Sequence, residues 1–79
     1  MNKLWVVYLL KCSDETLYCG ITNDLAARVL AHNNKTGAKY TRGRTPVTIF
    51  KTFSVESKSD ALKLEHKIKK MSRKKKLAL

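Results

Sequence analysis

A carboxylate in the second half of the chain lies where an apolar side chain is expected. On a helical wheel of roughly 100° per residue, Glu65 falls between Ala61 and Leu62, inside the apolar arc of a predicted helix. Burying a carboxylate there is costly unless it is paired or binds a cation. Glu65 is therefore a candidate metal ligand. The alternatives are a side chain that reaches solvent at the edge of the arc, or one that pairs with a nearby lysine.

Two pairs of polar side chains also have informative spacing. Arg28 and His32 are four residues apart, which places them on one face of a helix, beside its apolar stripe. They either border a cleft under a sheet or are ordinary residues on the flank of the helix. Tyr8 and Tyr18 lie on opposite sides of a polar turn, and paired strands bring them together when the register points both to one face. Gly20 indicates close approach of another backbone or a ligand.

The segments that carry these residues have clear local patterns. Leu4–Leu10 is an apolar run rich in β-branched and aromatic residues, which favours a buried strand. Thr16–Thr22 is predicted to be a second strand, close enough in sequence to form an antiparallel hairpin with the first. Asn23 is a candidate N-cap for a helix that runs to about Asn33.

The rest of the chain predicts a loop, a strand and a helix. Asn33–Pro46 is a long loop, and loops of this length are often binding segments. Val47–Phe53 is the predicted third strand. Ser57 and Ser59 can each cap the helix that follows. The pattern predicts one domain spanning residues 1–79, in the order β-β-α-β-α with a short C-terminal helix.

The charge of the chain indicates a polyanionic partner. Lys and Arg number 17 against 6 Asp and Glu, which gives a formal net charge of +11. Nucleic acid is the favoured partner, because cations bound to phosphates release condensed counterions. Other polyanions, RNA on the ribosome and an acidic membrane surface are the alternatives.

Neither the cysteines nor the start of the chain indicates secretion. Cys12 and Cys19 fit neither a zinc ligand set nor a disulfide framework, and we expect them to be small buried strand residues. The start, Met1–Trp5, leads into an apolar stretch broken at Lys11. That stretch is too short for a membrane span and lacks a small-residue cleavage site. We therefore expect a cytoplasmic protein without a membrane partner.

The two tyrosine segments together resemble the paired motifs of the GIY-YIG nuclease family. Val6-Val7-Tyr8 resembles the first motif, with Val6 where the family has its leading glycine. Tyr18-Cys19-Gly20 resembles the second, with Cys19 in place of the middle isoleucine. Each motif alone is unspecific, but their order and spacing together are not.

Two further positions extend the resemblance. Arg28 follows Tyr18 by ten residues, the spacing in the nuclease domain of the bacterial excision-repair endonuclease. Leu64-Glu65-His66 is similar to the segment that supplies the metal-binding glutamate of the family. The likeness covers about Leu4 to Ile68 and is closest to small, stand-alone bacterial members of the YhbQ-like type.

The resemblance implies a fold and a reaction. The fold is α+β (α/β two-layer), a three-stranded antiparallel sheet flanked by helices. The reaction is hydrolysis of phosphodiester bonds in DNA, in repair or recombination, with one divalent cation, usually Mg²⁺ and alternatively Mn²⁺. Glu65 would be the sole protein ligand of the metal, and Arg28 would stabilise the charge on the phosphate. Tyr8 or Tyr18 would help to deprotonate the attacking water, with His32 accepting the proton.

The backbone of the nucleic acid would be held by the loop between the first helix and the third strand, and by the basic C-terminal segment. Such contacts position a substrate without reading its bases. The residues predicted to make them are Gly20, Lys35, Lys39, Tyr40, Thr41, Arg42, Arg44, Lys70, Arg73 and Lys74.

Two rival functions use the same features. A nucleic-acid-binding module without catalysis would bind in a salt-dependent manner and cut with no divalent metal. A protein-interaction module would dock Leu77–Leu79 on a partner that supplies specificity, and would form a stable complex without affinity for nucleic acid.

Overall fold

Three strands form one antiparallel sheet with the spatial order β2-β1-β3. In this computed structural model, which describes residues 4–79, they are β1 (Trp5–Lys11), β2 (Leu17–Thr22) and β3 (Thr48–Val55). The central strand β1 is the apolar run, which pairs on both sides. The prediction of one domain over residues 1–79 and that for the start of the chain both include residues 1–3. These three residues lie outside the described part of the structure.

The helices are α1 (Leu25–Asn33), α2 (Lys58–Lys69) and the short α3 (Arg73–Leu77). A single 3₁₀ turn, Lys39–Thr41, interrupts the long loop that was predicted between α1 and β3. The predicted order and the three-stranded antiparallel sheet flanked by helices are thus confirmed. Within residues 4–79, no helix has the length and apolar character that crossing a membrane requires.

The helix caps follow from local sequence, with one change from the prediction. The N-cap of α1 is Asp24, whose side chain accepts from the Ala27 amide, and the prediction of Asn23 was wrong by one residue. The cause is that Asp24 and Asn23 are both good capping residues, so sequence alone does not separate them. Ser57 caps α2 by accepting from the Asp60 amide at 3.1 Å.

Alternation along β1 divides the core between the two faces of the sheet, because successive strand residues point to opposite sides. Val7 and Leu9 pack against α2, in a cluster that contains Ala61 and Ile68. Tyr8 and Leu10 point to the other face, where Leu25 and Val29 of α1 pack against them. The sheet is therefore covered on both sides, by α2 on one face and by α1 on the other.

The register between β1 and β2 settles which tyrosines meet. Tyr8 pairs with Gly20 and Leu10 pairs with Tyr18, so that all of these residues point to the α1 face. The rings of Tyr8 and Tyr18 lie 6.3 Å apart between centroids. Among the strands that the structure describes, β2 pairs with β1 alone, so it forms one edge of the sheet.

The loop after α1 is tied to the core at both ends. The Asn33 side chain accepts from the Val47 amide at 2.7 Å and donates to the Val47 carbonyl at 3.2 Å. At the other end, the amides of Thr36 and Gly37 both donate to the Ala31 carbonyl. The segment between these ties is therefore folded back against α1.

Both cysteines are buried, as predicted, but only Cys19 is a strand residue, because β1 ends at Lys11, one residue before Cys12. Cys12 and Cys19 are buried and unbonded to one another. Burial raises the pKa of the Cys19 thiol to about 11, with the charge of Glu65 adding to the effect. Cys19 is therefore a protonated core residue at neutral pH.

Candidate active site

A tyrosine, a histidine and an arginine meet on the α1 face of the sheet. The Tyr8 hydroxyl lies 3.0 Å from His32 Nε2. The Arg28 Nε–H donates to the same hydroxyl at 3.4 Å. Tyr8 comes from the central strand, and the other two come from successive turns of α1, so that packing of the helix on the sheet brings the three side chains together. Tyr8 is 1% exposed and His32 is fully buried.

Burial sets the protonation state of this group. It raises the pKa of the Tyr8 phenol above its ordinary value, which the hydrogen bond from Arg28 opposes. It lowers the pKa of His32, and the positive charge of Arg28 lowers it further. At neutral pH the group is therefore a neutral phenol and a neutral imidazole beside a permanent cation.

The loop after α1 closes the far side of the histidine. His32 Nδ1 lies 2.8 Å from the Thr41 hydroxyl, which itself donates to the Ala38 carbonyl at 2.9 Å. Gly37 packs directly on the imidazole, since a β-carbon placed there would lie 2.8 Å from Nδ1. The loop therefore separates His32 from solvent.

A second aromatic layer extends from this group to the surface. The Tyr18 ring lies 5.2 Å from that of His32 and stacks on Tyr40 at 5.7 Å. The guanidinium of Arg44 lies over the Tyr40 ring at 4.1 Å and bonds to Asp14 at 3.0 Å. Tyr40 is 42% exposed, so the layer ends at a surface that combines an aromatic ring with a cation.

Tyr40 lies between two open cavities lined by cations. One, of about 540 Å³, is lined by Asp14, Lys39, Tyr40, Gly43 and Arg44. The other, of about 210 Å³, is lined by Thr16, Leu17, Tyr40, Arg73 and Lys76. Cations with an interposed aromatic ring are typical of surfaces that bind the backbone of nucleic acids.

Glu65 lies on α2, on the opposite side of β2 from the tyrosines. Ala61, one helical turn before Glu65, packs in the same cluster as Cys19, and the charge of Glu65 helps to raise the pKa of that thiol. Its side chain is 18% exposed, and Lys69 Nζ lies 3.5 Å from Oε2. The structure thus contains the lysine pair that was one alternative for this carboxylate. Among the described contacts, none joins Glu65 directly to the tyrosines, Arg28 or His32.

The donor set around Glu65 suits a hard cation held weakly. Within residues 4–79 no three His, Cys, Asp or Glu side chains are grouped as a metal cage. Mg²⁺ does not need one, because it keeps several waters and is often held by one or two carboxylates with substrate phosphates. A lone, partly buried carboxylate fits that requirement, provided that the flexible Lys69 side chain moves away.

The predicted nucleic-acid contacts separate into two groups. Gly20 and Thr41 are buried, against Tyr8 and His32 respectively, because the strand and the loop fold over the α1 face. Their contacts with nucleic acid stay predictions. The others are exposed or, for Arg44, half-buried: Lys35, Lys39, Tyr40, Arg42, Arg44, Lys70, Arg73 and Lys74.

Three neighbours of the site were not predicted from the sequence. Gly37 packs on His32, Asp14 holds Arg44, and Lys76 lines the smaller cavity beside Tyr40. Each becomes adjacent to the site only through tertiary folding. Asp14 alone carried a signal, because an acidic residue in a strongly basic chain is uncommon enough to notice.

Comparison with known proteins gives a family-level match. The model of the GIY-YIG catalytic domain matches residues 4–78. A UPF0213 protein of Halobacterium salinarum is 55% identical over 73 residues, covering 92% of this chain and 95% of that protein. A UPF0213 protein of Clostridium perfringens is 53% identical over 73 residues, covering 92% of this chain and 78% of that protein.

Solved structures agree with the fold. The solution NMR structure of a protein from E. faecalis is 40% identical, with a TM-score of 0.67, and the match covers 96% of this chain and 81% of that one. The solution NMR structure of a UPF0213 protein from Bacillus halodurans is 41% identical, with a TM-score of 0.59, and covers 92% of this chain and 78% of that one.

Proposed function

The chain belongs to the GIY-YIG catalytic domain family, and from that premise we propose that it is a divalent-metal-dependent endonuclease that hydrolyses phosphodiester bonds in DNA. Its relatives are small UPF0213 proteins of bacteria and archaea. Residues 1–79 would act as a single nuclease domain, and a role in DNA repair or recombination fits the family resemblance.

The observation that carries this proposal is the contact of the Tyr8 hydroxyl with His32 at 3.0 Å and with Arg28 at 3.4 Å. A phenol is a poor base at neutral pH because its pKa is near 10. The contact with a neutral imidazole removes this obstacle, since the phenol can release its own proton as it accepts another. This supports Tyr8, rather than Tyr18, as the proton acceptor.

In the proposed proton transfer, side chains of this protein accept the proton that the attacking water loses. A water molecule loses a proton to the Tyr8 oxygen while the Tyr8 proton passes to His32 Nε2. The resulting hydroxide attacks phosphorus, and the bond from phosphorus to the leaving oxygen breaks. Tyr18, which is less buried than Tyr8, would orient the substrate from the aromatic layer.

Charge on the phosphate would be stabilised from two sides. Arg28 donates its Nε–H to Tyr8 and also lies beside Tyr18, and its remaining N–H groups would face a phosphate oxygen. Glu65 would hold Mg²⁺, or Mn²⁺ in its place. When bound, that ion would supply Lewis-acid stabilisation of the leaving oxygen.

The exposed cations and Tyr40 would hold the flanking backbone. Lys39, Arg44 and Arg73 line the two cavities that share Tyr40. Such contacts provide affinity without base readout, so a protein partner would be needed for strong sequence preference. A DNA substrate fits the cytoplasmic location that the sequence predicts.

The proposal is tested by cleavage of labelled duplex, single-stranded and branched DNA with Mg²⁺ or Mn²⁺. Glu65→Gln and Tyr8→Phe are compared with Glu56→Gln, which removes an exposed carboxylate from the same region. We expect Tyr8→Phe to lower the cleavage rate about 10²–10⁴-fold, the usual contribution of a positioned acid or base. Glu65→Gln should abolish metal-dependent cleavage with little loss of binding.

Glu56→Gln should cut as the wild type does. Binding of all four proteins to DNA without cleavage by any of them would instead support a binding module. Cleavage that survives both Tyr8→Phe and Glu65→Gln would refute the assignment of these residues.

A further inference from the structure

We infer that Thr41 is a positioning residue, which holds the buried His32 in the tautomer that carries its proton on Nδ1 and leaves Nε2 free to accept from Tyr8. The inference deepens the proposed function, and its role in cleavage rests on that function. The tautomer itself is a property of the resting protein.

The direction of the hydrogen bonds follows from the single proton on each hydroxyl. Thr41 Oγ1 donates to the Ala38 carbonyl at 2.9 Å, so it can only accept from His32 Nδ1 at 2.8 Å. Nδ1 must then carry the proton of the neutral ring. Nε2 is left as an acceptor, facing the Tyr8 hydroxyl at 3.0 Å.

The hydrogen bonds at Arg28 and Tyr8 also indicate that Tyr8 donates to His32 Nε2. Arg28 is always a donor, so it occupies an acceptor position on the Tyr8 oxygen. The Tyr8 proton then needs an acceptor of its own, and among the described contacts His32 Nε2 is the one available. All four donors in the chain, from Arg28 to Thr41, are satisfied in this arrangement.

The opposite tautomer leaves this buried group poorly bonded. With the proton on Nε2, both His32 and Arg28 would donate to the Tyr8 oxygen, and the Tyr8 proton would have no acceptor among the described residues. Buried polar groups rarely remain unbonded, because they have lost their hydration. The contacts of Tyr8 and the Thr41 acceptor therefore favour the same form of His32, the one that can receive a proton from Tyr8.

The position of Thr41 links this selection to the loop that carries the predicted nucleic-acid contacts. Thr41 ends the 3₁₀ turn that begins at Lys39 and includes Tyr40, and it is fully buried, whereas both of those residues are exposed. The same turn thus presents a surface to substrate and an acceptor to the histidine. A loop held in place by substrate would keep the histidine in its accepting form.

Nitrogen-15 NMR of the histidine rings tests the inference on the full chain without substrate. The spectrum is recorded at about pH 8, above the usual histidine pKa of roughly 6.5. His66→Gln assigns the signals, since the chain has 2 histidines. Thr41→Val removes the hydroxyl acceptor at nearly constant side-chain volume, whereas Thr41→Ser keeps a hydroxyl. Thr36→Val is the control, because Thr36 is an exposed threonine of the same loop.

We expect wild type, Thr41→Ser and Thr36→Val to show a protonated Nδ1 and a bare Nε2. Thr41→Val should raise the Nε2-protonated fraction of the ring, because the Nδ1 proton loses its acceptor, and should lower the cleavage rate about tenfold at unchanged DNA affinity. A wild-type ring protonated on Nε2, or a Thr41→Val ring with the wild-type pattern, would overturn the inference.

The two hypotheses fail in different ways. If no variant cleaves DNA but the tautomers follow the expected pattern, the proposed function is wrong and the positioning of His32 by Thr41 is supported. If Thr41→Val does not fold, the tautomers of wild type and Thr41→Ser still decide, because either one protonated on Nε2 contradicts the inference.

Discussion

Tyr8 and Gly20 are partners across the β1–β2 ladder, and a β-carbon at Gly20 would lie 2.5 Å from the Tyr8 hydroxyl. That oxygen is held by His32 and Arg28, so it cannot move aside without losing both contacts. The glycine is not needed for its backbone conformation, since no described glycine has a positive φ. It is needed because the phenol occupies the space of a side chain.

Gly20→Ala should therefore displace the Tyr8 hydroxyl. We expect a loss of stability of about 1–3 kcal/mol, typical of overpacking. Cleavage should fall about 100-fold, the effect of a misplacement of about 1 Å at a reacting group. Denaturant unfolding and single-turnover cleavage measure the two effects.

Gly43→Ala is the matched control, because a β-carbon there meets nothing within 4 Å. It should leave stability equal or slightly higher. The comparison rests on stability, because Gly43 lines the larger cavity that is proposed to hold DNA. Equal effects of the two substitutions would show that the contact of Tyr8 with Gly20 is not what matters.

Local sequence predicts the elements of this fold better than it predicts the site. Apolar runs, Ser57 and the polar turn suffice for the order of strands and helices, because each signal acts over a few residues. The meeting of Tyr8 with His32 is different, since it depends on the register of β1 and on the packing angle of α1. Thr41 shows the limit most clearly, because a threonine in a loop rich in cations and glycine is expected at the surface.

The histidine predicts a dependence of stability on pH. Because the pKa of His32 is lower in the folded protein, the unfolded chain binds more protons between that value and about 6.5. The contribution of neutral His32 to the free energy of unfolding should therefore be fully present above about pH 6.5. It should be lost as the pH falls through the pKa of His32 in the folded protein. Chemical denaturation across this range measures the slope.

His32→Gln should flatten the slope, and His66→Gln, which removes the exposed histidine of α2, is the control. The acidic groups whose pKa is lowered by hydrogen bonds and neighbouring cations, Asp14 and Glu15, titrate below this range. An unchanged slope in His32→Gln would mean that another group is responsible.

The ammonium group of Lys69 should compete with a metal ion for the Glu65 carboxylate. This ammonium lies 3.5 Å from the partly buried Glu65 carboxylate, and an ion pair near the protein surface contributes roughly 0.2–1 kcal/mol. Lys69→Ala should therefore tighten Mn²⁺ binding by up to about fivefold, measured by titration calorimetry or spin resonance.

Lys63→Ala removes an equal charge from an exposed position of the same helix and is the control. If both substitutions tighten metal binding equally, net charge explains the change and the ion pair does not.

Asp14 predicts a restraint on nucleic-acid binding. Its carboxylate holds Arg44 at 3.0 Å beside Tyr40 and lines the larger cavity. Asp14→Asn should release the guanidinium and tighten DNA binding by about two- to fivefold, in line with the modest energy of a surface pair. Fluorescence anisotropy without metal, over a range of salt concentrations, measures this.

Glu56→Gln gives the same change in net charge at a site away from the cavities. If Asp14→Asn tightens DNA binding no more than Glu56→Gln does, the gain in affinity comes from net charge alone. The salt dependence of Asp14→Asn should also be steeper, because one more cation is free to displace counterions.

The edge position of β2 has a consequence for the kind of substrate that can be cut. Arg28 and Tyr8 lie on one face of this terminal strand and Glu65 on the other. Under the proposed function, a phosphate held from both sides would straddle the outer edge of β2 and would not enter a closed pocket. Because such an edge has no closed end, a long DNA strand would lie across it at any point and would be cut internally, without threading a free terminus.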